Sequence, residues 1–189
     1  MSEGPRRGGH RGTRALQRMI EYAPGCGALA LWARHEDLDA DAEAAGASPV
    51  ATDGHALFYA AAFETLPLDL QTGWVARCVL HIALRHPQRL GSMRQRLGDV
   101  DERLYTLCAD AIVASTLAPV AWLRLPDDGP MLEQLLATAL RTEVSAEAAL
   151  QQWDVESLYT ALDDRSRRVG RQGRGSDALH QRNIQHGQF

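Results

Sequence analysis

The sequence predicts an α+β fold in which helices dominate. Three stretches carry this expectation. WVARCVLHIALR at 74–85 is apolar on nearly every side, the mark of a helix buried in a core. LCADAIVASTL at 107–117 has the same character, with Asp110 as its only charge. PVATDGHALFYA at 49–60 has β-compatible residues on both sides of Asp53-Gly54, a pair that populates the positive φ angles of a two-residue hairpin turn. A small hairpin-containing sheet is therefore expected to pack on the first helix, and that helix on the second.

A chain of 189 residues makes one domain with a substantial core and is too short for two full ones. Residues 1–14 read as a disordered basic tail, although 13–23 already space Leu16, Met19, Ile20 and Ala23 as one helical face. Pro24, Gly25 and Gly27 are expected to end that helix. The apolar run 28–33 fits strand or helix, and the acidic, Ala-rich 35–46 fits a solvated loop or helical excursion. The hairpin strands are placed at 50–52 and 55–59. Pro67 opens the long helix, with Asp69 in a first turn whose dipole favours negative charge. His86-Pro87 is expected to close it, because the residue before proline is pushed out of the helical region, and Arg-rich 88–97 then forms a connection. A second buried helix spans 99–117 and begins with Asp99, Asp101 and Glu102. Asp127-Asp128-Gly129-Pro130 is a break, and amphipathic helices follow at 131–141 and 155–162. The ordered domain is thus read as 15–164, with a disordered Arg/Gly-rich tail at 165–189.

Charge and composition exclude several classes. Residues 1–14 carry four Arg against Glu3 and residues 165–189 six Arg against Asp177, so a net charge of -4 leaves the body strongly acidic. An acidic body argues against a nucleic-acid-binding surface on the folded domain, and only the tails suit RNA or DNA. All 20 cations are Arg, a compositional bias. No apolar run approaches the roughly 18 residues of a membrane span, and the N-terminus lacks the apolar core of a signal peptide. Cys26, Cys78 and Cys108 are odd in number and follow no disulfide or zinc-ribbon spacing, which fits a reducing, cytoplasmic setting. No Ser/His/Asp set, phosphate loop or dinucleotide fingerprint is present.

The chemistry gathers on the central helix. Arg77, His81 and Arg85 form one polar row at i, i+4 spacing on an otherwise apolar surface. Burying such groups without partners costs several kcal/mol, so something polar must face the row, and Asp110 is the best candidate. In the HExxH zinc site two histidines four apart hold the metal and the Glu activates its water. Here His81 stands at the second histidine, Arg77 at the first and Cys78 at the Glu.

With ATDG at 51–54, VLHIALRHPQR at 79–89, AD at 109–110 and ESLYTAL at 156–162, the chain resembles the predicted metal-dependent peptidases associated with von Willebrand A-like domains and MoxR-type AAA+ ATPases. That family's typical run is a TDG turn, a helix of the form HExxHxxxxHxxR and a helix with an Ala-Asp pair. The resemblance implies a zincin-like domain, zinc as cofactor, and a MoxR-type ATPase or von Willebrand A-domain protein as partner. It implies metal ligation by His81, His86 and Asp110, and it places Cys78 at the catalytic Glu. Arg presents only donors and stays protonated, so Arg77 cannot ligate a metal. Cysteine is a poor substitute for a carboxylate base.

Three readings compete. In one, the site has lost its metal, Arg77 supplies the missing positive charge to Asp110, and an inactive domain serves as a binding or adaptor module. In another, a zinc-dependent hydrolase survives with altered ligands, using His81 and Asp110 with His86 or Cys78. In the last, His81 and Asp110 are hydrogen-bonded core residues of an unrelated helical domain. Separately, the Arg-rich tails offer a nucleic-acid-binding alternative.

Overall fold

The first helix, α1 (Thr13–Tyr22), buries Ala15, Leu16 and Met19, the row its spacing promises. The computed structural model describes residues 9–39, 48–126 and 129–163. Pro24, Gly25 and Gly27 do not lead into irregular chain: they belong to a second helix, α2 (Pro24–Trp32). Proline is tolerated in a first turn because no N–H is needed there. Gly27 is required by close packing, since a Cβ at that position would stand 2.7 Å from the Ile20 backbone of α1.

The acidic segment expected as loop or helix begins as a strand, β1 (Arg34–Asp37). β2 (Val50–Thr52) and β3 (Ala56–Tyr59) form the anticipated hairpin. β3 lies in the middle of a three-stranded sheet of order β1-β3-β2, antiparallel to β2 and parallel to β1. The hairpin loop has three residues rather than two. Of these only Gly54 has positive φ, and the Asp53 carboxylate accepts from the N–H groups of His55 and Ala56, both at 2.8 Å. That side-chain turn replaces the mirror-image turn expected from Asp-Gly.

A 3-10 turn at Ala61–Thr65 delivers the chain to α3 (Leu68–Ala83), the predicted buried helix, where Asp69 stands in the first turn. Gln71 is buried but satisfied, its Nε2 donating to the carbonyls of Phe63 and Leu66. His86-Pro87 does not release the chain into a connection. Leu84 closes α3, Arg85 takes a left-handed conformation (φ 57°), and α4 (His86–Leu97) starts at once with Pro87 in its first turn. The proline therefore marks a helix start where the sequence reading had taken it as a stop.

α5 (Glu102–Leu117) is the second buried helix, capped by Asp101, whose carboxylate accepts from the N–H groups of Arg103 and Leu104. α6 (Leu132–Leu135) widens into a π turn at Leu136–Leu140 and ends at left-handed Arg141. α7 (Ala146–Gln152) had no sequence counterpart among the expected elements and is capped by Ser145. α8 (Val155–Leu162) starts at a capping box between Asp154 and Ser157.

The interior has two parts. One joins α1, α2, the sheet and α3 through Met19, Leu57, Tyr59, Phe63, Val75 and Val79. The other joins α4 to α8 through Met93, Tyr105, Leu132, Leu158 and Tyr159. α5 belongs to both, giving Val113 and Leu117 to the first and Cys108 and Ile112 to the second. α3 and α5 pack along the boundary. Of the segment 9–14, Arg11 donates to the carbonyls of Leu38 and Tyr59 and pairs with Glu64, which ties it to the sheet. Among the described residues no helix is long and apolar enough to cross a membrane. Residues 165–189, read as an Arg/Gly-rich tail, lie outside the described residues.

Candidate functional site

The polar row of α3 meets α5 at the boundary between the two cores. Arg77 and Asp110 pair at 2.8 Å between Nη2 and Oδ2, with 15% and 22% of their side chains exposed. His81 Nε2 lies 3.1 Å from the other oxygen, Oδ1. A carboxylate only accepts, so His81 carries a proton on Nε2 and both oxygens of Asp110 are engaged. Burial alone would raise the Asp110 carboxyl. The His81 hydrogen bond and the Arg77 guanidinium outweigh it and hold the group below its ordinary value. The guanidinium of Arg77 also sits 5.4 Å from the Trp74 ring centroid, one helical turn earlier.

The left-handed corner at Arg85 turns α4 back so that His86 faces His81. Their Nδ1 atoms are 2.9 Å apart and share one proton, and the rings meet edge to face. On a straight helix these two residues would point about 140° apart. His86 is buried, and burial first, then the charges of His81 and Arg89, push its pKa down to about 3, so it stays neutral. Tyr105 of α5 donates to the His86 carbonyl at 2.9 Å and fixes the corner from below.

Cys78 lies against the same region as Arg77 and His81, facing β2. It is buried, its Sγ donates to the Val50 carbonyl at 3.8 Å, and burial pushes the thiol up to about 12. At neutral pH it is a neutral thiol rather than a base. His81, His86, Asp110 and Arg77 are thus brought together, with the Cys78 thiol buried beside them.

A cavity of about 560 Å³ opens over this cluster. One wall is β2, with Val50, Ala51 and Thr52, and the other is made by Tyr105, Thr106, Ala109 and Asp110 of α5. Trp74, Pro87 and Leu90 add apolar surface. Tyr105 and Thr106 escaped the sequence reading, although they share a helix face with Ala109 and Asp110 at i, i+4 spacing, a signal that would have found them. The hairpin tip also closes on this region, since Gln88 of α4 donates to the Gly54 carbonyl. Arg89 grips Glu156 through both Nε and Nη2 and reaches Asp154 at 3.4 Å, joining the HPQR and ESLYTAL segments across α4 and α8.

The donor set does not suit a zinc ion. His81 already spends Nε2 on Asp110 and Nδ1 on His86, and Arg77 holds the remaining oxygen of Asp110. Among the described residues no group of three or more His, Cys, Asp or Glu is placed to share a metal. The arrangement can bind polar groups in the cavity above it.

Comparison with curated proteins and with solved structures matched none. Comparison with known families matches residues 8–188, nearly the whole sequence, to the family described as a putative metallopeptidase domain, and the chain belongs to that family.

Proposed function

We infer that the chain is a degenerate, zincin-like member of its family in which an ion pair replaces metal chemistry and the cavity serves as a binding site. The observation that carries this is Asp110: its two oxygens are taken by Arg77 and His81, so the positive charge a metal would supply is already present as a guanidinium. The two departures from HExxH support the same reading. Arg77 sits where the first histidine would ligate, and Cys78, where the Glu would act, is a buried thiol. Without chemistry to perform, the domain acts as an adaptor. Its partner is a protein of the kind the resemblance implies, a MoxR-type AAA+ ATPase or a von Willebrand A-domain protein, and its three free cysteines suit a cytoplasmic setting.

Elemental analysis of the purified protein tests this, beside His81→Ala, Asp110→Ala and an Arg77→His/Cys78→Glu double variant. The expected result is no stoichiometric zinc in the wild type, even after zinc is supplied, and a gain of zinc in the double variant, which restores the HExxH residues. One equivalent of zinc in the wild type, lost in both alanine variants, would overturn the reading in favour of a hydrolase with altered ligands. The adaptor role is checked by pull-down with the wild type and with Ala51→Trp, which fills the cavity mouth and should abolish capture of the partner.

A further inference from the structure

Most of the polar side chains around the cavity already have their hydrogen bonds. Ser48 donates to the Val50 carbonyl at 2.8 Å, Thr52 Oγ1 accepts from the Gly54 N–H at 3.0 Å, and Tyr105 donates to the His86 carbonyl at 2.9 Å. Arg77, Asp110 and His81 engage one another. The imidazole of His86 is different. It lines the same cavity, it is only 3% exposed, and its ring makes one hydrogen bond, through Nδ1 to His81. Its other nitrogen, Nε2, has no partner among the described residues.

The chain of hydrogen bonds fixes the role of that nitrogen. Asp110 already balances the Arg77 guanidinium, so a second positive charge on His81 would be buried without a counter-ion. A neutral His81 spends its one proton on Asp110 through Nε2 and accepts at Nδ1. His86 must then donate from Nδ1, which leaves a bare lone pair on its Nε2. A buried acceptor without a mate is unfavourable, and it favours an occupant that brings a proton donor.

The same chain restricts the charge of the occupant. An anion such as a carboxylate offers His86 only acceptors. A cation would be buried beside an ion pair that is already neutral. A neutral hydroxyl or N–H satisfies Nε2 without either cost. The walls decide what carries it: Val50, Trp74, Pro87, Leu90 and the Tyr105 ring enclose about 560 Å³, a space for one apolar, flat group. We propose that the cavity takes a neutral aromatic group tipped with a hydrogen-bond donor, a phenol, whose hydroxyl donates to Nε2 of His86. The proposal rests on the reading of the cavity as a metal-free binding site and names the chemistry that fills it.

Titration of the full chain with p-cresol and with toluene, which differ by the hydroxyl alone, tests the proposal by NMR. p-Cresol should shift the amide signals of β2 and α5 and bind at least about fivefold more tightly than toluene, the worth of one neutral hydrogen bond. His86→Phe, checked for its fold by far-UV circular dichroism, should keep toluene binding and lose the preference for p-cresol. Histidine ¹⁵N spectra of the wild type make the test independent of that variant: His86 should carry its proton on Nδ1, and the bare Nε2 signal should move when p-cresol is added. A tyrosine tripeptide blocked at both ends, acetyl-Gly-Tyr-Gly-amide, locates the source of the phenol. Binding of the peptide assigns it to a side chain of the protein partner, and binding of p-cresol alone assigns it to a free small molecule. A proton on Nε2 of His86, equal binding of p-cresol and toluene, or a preference that survives in His86→Phe overturns the proposal. In zinc-free protein those results sink this inference alone, whereas stoichiometric zinc sinks the reading of the cavity on which it rests.

Discussion

Arg77→Ala removes the guanidinium from an ion pair that is more than three-quarters buried on both sides. Breaking a buried pair by deleting one partner costs about 3–5 kcal/mol, because the other charge is stranded. Here Asp110 keeps His81, and residual exposure lets water reach it, so we expect a loss somewhat below that scale, about 2–3 kcal/mol. For a domain of this size each kcal/mol is worth roughly 2–4 °C, which gives a fall in Tm of about 4–12 °C. Urea denaturation followed by circular dichroism measures the loss, and a double-mutant cycle with Asp110→Asn isolates the pair. The effect should depend on pH. The folded Asp110 titrates below its unfolded value, so its contribution is full above about pH 4 and fades as pH falls through the folded value, and the gap between wild type and variant closes in acid. A loss below about 0.5 kcal/mol, the scale of an exposed pair, or a coupling energy of zero would refute the argument that the guanidinium stands in for a metal's charge.

His86 sets a second pH dependence. Its pKa falls from 6.5 to about 3 on folding, so between those values the unfolded chain binds one more proton than the native one. Stability is therefore full above about pH 6.5 and drops as pH is lowered toward 3, and His86→Phe should flatten that part of the profile measured by urea titration. Thiol titration of the native protein should show Cys26 reacting readily, with Cys78 and Cys108 reacting only on unfolding, since both are buried and their thiols are pushed up to about 12. Equal reactivity of all three would contradict the burial of Cys78. Gly73→Ala would place a Cβ 1.9 Å from the Arg124 carbonyl, so α3 or the 122–125 segment must shift, and thermal melts should show a loss of about 1–3 kcal/mol.

The elements read correctly from sequence are those whose cause is local. α3 and α5 announce themselves by apolar residues on every side, and the hairpin by Asp53-Gly54 between β-compatible runs. The pairing of Arg77 with Asp110 was legible because each was the odd charge on a buried helix. The misread elements depend on distant partners. β1, with the sequence RHED, has no alternation, and its strand character comes from the ladder to β3. α2 contains Pro24, Gly25 and Gly27, which signal a break in isolation; the close seat against Ile20 makes a helix of them. His86-Pro87 has the composition of a helix end, and the single left-handed residue Arg85 converts it into a helix start. That one torsion angle also decides whether His86 reaches His81, which spacing along a straight helix could not reveal.

The boundary between the two interior clusters has a consequence for how the molecule comes apart. Each cluster has its own buried apolar set, and the contact between α3 and α5 is crossed by the polar chain from Arg77 through Asp110 and His81 to His86. Amide exchange in such a molecule should proceed by subglobal opening, each half keeping protection of its own while the α3–α5 contact reports whether they melt together. Arg77 and Asp110 then act as a latch on cooperativity. Weakening them should let the halves open at less cost as the global stability falls, and an occupant in the cavity, touching β2 on one side and α5 on the other, should tie them together again.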